Sequence, residues 1–176
     1  MFCCYTNDTV MPHPQNKQIL CEYKYIWTPL FQLLANDAPD NVIIAHIEMN
    51  SKSFLEEVDN DNQTALHYAC KHQRTKIVVL LVQYNVNTNE EDWDGVCPLH
   101  YAARSGNSII CSLLLSKGAQ VDRPVGKCDM TPLHIAYGLK YFDIVDLLVG
   151  FGAYKCAVDA NNLTTTDYFH MKFTYE

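Results

Sequence analysis

Thr131-Pro132-Leu133-His134-Ile135-Ala136 is a phrase that this chain uses three times with small changes. Thr64-Ala65-Leu66-His67-Tyr68-Ala69 is one earlier copy, and Cys97-Pro98-Leu99-His100-Tyr101-Ala102 is the other. The copies start 33 and 34 residues apart. Each letter has a local reason. Thr is a good N-cap, because its hydroxyl accepts from a free amide of the first helical turn. Pro at the next position has no amide to leave orphaned and a helix-ready φ. The Leu and Ala that follow face inward at helical spacing. Each copy therefore predicts the start of a helix. A phrase recurring at a fixed period predicts an array of stacked supersecondary units.

The period and the hexapeptide together resemble the ankyrin-repeat family. The resemblance implies an all-α fold, a solenoid of stacked helix-turn-helix units with β-hairpin-like fingers. It implies a structural task for His67, His100 and His134, whose rings would tie the cap to neighbouring repeats instead of binding a metal or acting as bases. It also implies that the concave face, made by the fingers and the exposed side of the first helices, is a protein-binding surface.

Working outward, the same phrase organises most of the chain. Residues 1–22 show no helical period, are punctuated by Pro12 and Pro14, and read as a flexible leader. Residues 23–176 read as the repeat domain, with repeats at about 23–58, 59–91, 92–125 and 126–158 and a partial cap at 159–176. The first repeat restates the phrase as Thr28-Pro29-Leu30-Phe31, with Phe31 where His stands elsewhere. Second helices are expected through Val42 to Ile47, Lys76 to Val82, Ile109 to Leu115 and Ile144 to Leu148, where apolar residues recur at three and four. Gly106 suits the turn between two helices, and Lys140 replaces that glycine in the fourth repeat. Asn85 stands where Gly118 ends the next repeat, and Asn enters the left-handed region readily. The cap restarts at Thr164, with Asp167 at the His position. The alternative is that the sequence is cut from a longer array.

Composition bounds the function. The 176 residues are 48% hydrophobic and 19% charged, which suits one folded domain. Net charge is −7 and no basic stripe appears, which argues against nucleic acid as a ligand. No apolar run is long enough to cross a bilayer, and the N-terminus does not read as a signal peptide. The eight cysteines include no Cys-x-x-Cys pair and read as reduced thiols of a cytoplasmic or nuclear protein. Cys3-Cys4 is the one candidate for acylation. Nucleotide-binding glycine motifs, His-Glu-x-x-His and Gly-x-Ser-x-Gly are missing, so no catalytic residue, metal or cofactor is expected.

The candidate functional residues come from projecting each repeat on its hexapeptide. Tyr25, Trp27, Gln63, Lys71, His72, Trp93, Asp94, Val96, Arg104, Lys127 and Met130 are expected on the concave face, with Asn60, Asp61, Ser105 and Leu139 beside them. Trp27 and Trp93 are the chain's only tryptophans, and exposed Trp is enriched at interface hot spots. Asp59, Asp61, Glu90, Glu91, Asp92 and Asp94 are expected to form an acidic rim. The expectation is a monomeric, non-catalytic protein-interaction module: an adaptor, scaffold or masking inhibitor. A recruiting subunit of an enzyme complex such as a ubiquitin ligase, or an IκB-like inhibitor of transcription factors, is the alternative.

Overall fold

The computed structural model describes residues 30–170, apart from the side chains at positions 52, 53, 127, 169 and 170. Helices begin where the phrase places them. Thr64, Cys97 and Thr131 lie in extended backbone, and helices α4 (Ala65–Lys71), α6 (Pro98–Ser105) and α8 (Pro132–Leu139) start at the next residue. Helix α1 (Leu30–Ala35) and helix α10 (Thr165–His170) occupy the same place in the first and last units. These inner helices stack in chain order, α1 on α4, α4 on α6, α6 on α8 and α8 on α10.

A second layer lies behind them. Helices α2 (Asp40–Met49), α5 (Thr75–Gln83), α7 (Ser108–Ser116) and α9 (Phe142–Gly150) stack as the outer row. A short helix α3 (Lys52–Leu55) follows α2 and accounts for the extra residues of the first unit; the sequence reading did not foresee it. Neighbouring units are tied through both layers, so apolar side chains that one helix pair could not bury become a continuous core. Leu66, Leu99 and Leu133 form one column of it, and Ala69, Ala102 and Ala136 let the helices approach. Each of these six is at most 1% exposed. The small column sits where a bulkier side chain would push the layers apart.

Turns recur as strictly as helices. Asp37, Gln73, Gly106 and Lys140 share the register between inner and outer helix, and all four are left-handed. Asn62, Gly95, Asp129 and Asn162 do the same at the finger turn, and Asn85, Gly118 and Gly152 after the outer helix. The anticipated roles of Asn85 and Gly106 hold, and Lys140 takes a positive φ that glycine would adopt more cheaply. The fingers carry no strands among the described residues. They close with single bridges, Val58 to Thr64, Val125 to Met130 and Val158 to Thr164.

Candidate partner-binding face

Three of the fingers, those before Thr64, Cys97 and Thr164, are each assembled around one carboxylate. Asp92 Oδ1 accepts the backbone N–H of Asp94 at 3.0 Å and of Val96 at 2.8 Å. Its Oδ2 accepts the Tyr101 hydroxyl at 2.9 Å and Gln63 Nε2 at 3.3 Å. Asp59 repeats the pattern with the amides of Asp61 and Gln63 and the hydroxyl of Tyr68. Asp159 repeats it again with the amides of Asn161 and Leu163 and the hydroxyl of Tyr168. An aspartate at the base of the finger thus clasps a tyrosine one turn into the inner helix. Burial and the Asp59 contact push the Tyr68 phenol up to about 12. Burial works to raise Asp59, but Tyr68 and the amides of Gln63 and Asp61 outweigh it, so its carboxyl titrates below the ordinary value.

The histidines join one unit to the next. Thr64 N–H donates to His67 Nδ1 at 3.0 Å, which fixes that nitrogen as an acceptor. The proton therefore sits on Nε2, which lies 3.0 Å from the Val96 carbonyl of the following finger. His100 does the same between the Cys97 amide and the Arg123 carbonyl, the latter at 2.8 Å. His134 Nδ1 takes the Thr131 amide, and its buried Nε2 closes no hydrogen bond of normal geometry among the described residues. Burial holds all three rings below their ordinary 6.5, so they stay neutral. The His67 and His100 rings are structural links, as the resemblance implied, and the His134 ring reaches the next unit by an edge contact with Tyr168, ring centres 5.1 Å apart.

Around this frame the expected face sorts into two groups. Trp93, Asp94, Arg104, Lys71 and His72 are exposed. Trp93 is 74% exposed, yet its backbone N–H donates to Asp61 O at 3.0 Å and its indole Nε1–H to Asn60 O at 2.7 Å. Lys71 Nζ lies 6.0 Å from the ring centres of both Tyr68 and Tyr101. The His72 ring stacks on Tyr68, which also stacks with Phe31. Gln63 and Val96 are half-buried and engaged within the array, through the Gln63 amide and the Val96 backbone. Met130 and Leu139 are half-buried and pack against the core. Lys127 lies in a 3-10 turn, Gly126–Cys128. Tyr25 and Trp27 fall outside the described residues.

The acidic rim is thinner than the composition suggested. Asp92 is buried in its clasp, Glu91 pairs with Arg123, and Glu90 accepts from Asn87 Nδ2. Asp61 and Asp94 remain as the exposed carboxylates beside Trp93. Reading Asp59 and Asp92 as solvated charge missed the clasp, although a signal was present: Asp and Tyr stand nine residues apart at 59/68, 92/101 and 159/168.

The sequence model of the ankyrin repeats, in three copies, matches residues 20–125 and 89–162. Among curated proteins, the chain is 35% identical over 105 residues to the human transient receptor potential cation channel subfamily A member 1, a match over 58% of this chain and 9% of that one. It is 29% identical over 126 residues to the target of rapamycin complex 2 subunit AVO2 of Saccharomyces cerevisiae, covering 70% of this chain and 30% of the other. It is 33% identical over 109 residues to the mouse ankyrin repeat and MYND domain-containing protein 1, covering 54% and 12%. The chain therefore matches less than a third of each of these relatives.

Proposed function

The chain belongs to the ankyrin-repeat family, and from that premise we propose that it is a non-catalytic adaptor, scaffold or masking inhibitor that grips a protein partner on its finger and inner-helix face. The observation that carries the reading is Trp93. A large aromatic ring held at the tip of the third finger, 74% exposed and tethered at two atoms, has no core to serve. Solvent-facing Trp is unfavourable unless something covers it, and covered Trp dominates interface energetics. Arg104 and Lys71 rise from the adjoining helices on the same face and give it directional polar contacts. The described cysteines, Cys70, Cys97, Cys111, Cys128 and Cys156, are free thiols, which suits the cytoplasmic or nuclear location included in the proposal.

Affinity purification from the native cell, with wild type and Trp93→Ala as parallel baits, tests the reading. Wild type is expected to retain a stoichiometric protein that Trp93→Ala retains at least about tenfold more weakly. A partner held equally by wild type, Trp93→Ala and Arg104→Ala would move the interface off this face.

A further inference from the structure

The fingertip also says what kind of side chain the partner brings. The indole N–H of Trp93 is already given to Asn60 O, and its backbone N–H to Asp61 O. What the tip still offers a partner is the π face of the ring. Two hydrogen bonds hold the ring in place, which lowers the ordering penalty of docking on it. A Trp ring attracts a cation more strongly than any other side-chain ring.

The charges around the ring point the same way. Asp61, on the second finger, supplies the carbonyl that fixes Trp93 and carries an exposed carboxylate. Asp94, the next residue, carries another. The neighbouring acids are occupied inside the array: Asp59 and Asp92 in their clasps, Glu91 by Arg123, Glu90 by Asn87. On the floor of the same face the chain shows the motif in its own hand, since Lys71 Nζ sits over the rings of Tyr68 and Tyr101. The tip carries two exposed carboxylates, while the cations of this face, Lys71 and Arg104, belong to the inner helices. The net charge of −7 adds a field that favours a cationic approach.

We propose that Trp93, flanked by Asp61 and Asp94, is the docking platform for an arginine side chain on a basic segment of the protein partner. This rests on the reading that the finger and inner-helix face is the binding face. The guanidinium lies flat on the indole, and its edge N–H groups donate to one or both carboxylates. Arginine is favoured over lysine because its planar, weakly hydrated head can stack and donate together.

The test uses the full chain and a capped peptide of alternating Arg and Gly, with an alternating Glu and Gly peptide as the opposite probe. Binding is followed by NMR, the Trp93 indole peak being the one lost in Trp93→Phe. The arginine peptide is expected to move that peak saturably. Trp93→Leu should weaken the peptide about fivefold or more. The double variant Asp61→Asn/Asp94→Asn should weaken it at low salt (~50 mM), with the difference shrinking at ~500 mM. Equal affinity for wild type and Trp93→Leu overturns the platform, as does an arginine peptide that leaves the indole peak still. If the glutamate peptide binds and moves the amides of Lys71 and Arg104 instead, the charge assignment is wrong while the binding face stands. The face itself falls only if the partner recovered from cells ignores both Trp93→Ala and Arg104→Ala.

Discussion

In the third repeat one carboxylate, Asp92, gathers four donors and closes the finger. In the fourth repeat Gly126 stands at that register, and Ile135 stands where Tyr101 does. The acceptor and its hydroxyl donor are missing together. Either alone would leave a half-buried polar group unsatisfied, which costs more than losing both. The fourth finger closes by backbone instead, with Val125 N–H donating to Met130 O at 2.9 Å and Met130 N–H to Val125 O at 3.2 Å. Ile135, Met130 and Leu139 turn that side apolar and pack on the core. Finger chemistry can thus be exchanged unit by unit, while the helical core beneath cannot.

The largest expected effect tests the shared part. Leu99→Ala and Leu133→Ala each delete a fully buried side chain at one register, and each should lower stability by about 2–5 kcal/mol. Urea denaturation of both variants checks this. A loss in one and none in the other would mean that the two repeats do not share a common core.

The second effect tests the difference. Asp92→Ala leaves the amides of Asp94 and Val96 and the Tyr101 hydroxyl without their acceptor, and should destabilise by about 2–3 kcal/mol. Gly126→Ala touches no clasp and places a Cβ at φ +66 in open space, so about 1 kcal/mol is expected from backbone strain alone. Equal losses would show that the clasp adds nothing beyond turn geometry.

Acid probes the links between repeats more gradually. His67, His100 and His134 are held below 6.5, chiefly by burial, so the unfolded chain takes up protons first as pH falls. Their contribution is complete above 6.5 and is lost as pH drops through the depressed native values. Asp59 and Asp159 are held below 3.8 against the pull of burial, mainly by the tyrosine hydroxyls and the turn amides. Their contribution is present above 3.8 and disappears below it as the native carboxyls protonate. Urea midpoints should be flat near neutrality, decline below 6.5 and decline further below 3.8. A midpoint that rises between pH 7 and 5 would contradict neutral buried histidines.

The helix starts and the core column were legible because the chemistry that sets them is local and repeated. Thr or Cys as cap, Pro at the first turn and Leu and Ala at helical spacing act within six residues. The clasp was less legible because its meaning is tertiary. Asp59 and Asp92 look like surface charge until the finger folds their carboxylates onto Tyr68 and Tyr101. Gln63 projects onto the binding face by register alone, which does not reveal that its amide reaches Asp92 and Tyr101 across one repeat. Trp93 was identified from residue type and register. Its tether to Asn60 and Asp61, on the preceding finger, is a contact over about one repeat length that periodicity alone does not reveal.

The smallest effect sharpens the comparison at a turn. Gly106 and Lys140 occupy one register of the third and fourth repeats, and both are left-handed, at φ +77 and +62. A Cβ on Gly106 would lie 2.9 Å from the Tyr141 ring, so the third repeat needs glycine for space as well as for conformation. Gly106→Ala should therefore lose about 1–2 kcal/mol. Lys140 carries the conformational strain, and glycine there would relieve it. Against this gain stands the greater freedom of glycine in the unfolded chain. The net expectation for Lys140→Gly is a stabilisation of about 0.5–1 kcal/mol, read as a higher urea midpoint at unchanged slope. A destabilised Lys140→Gly protein would mean that the lysine side chain contributes more at this turn than its backbone strain removes.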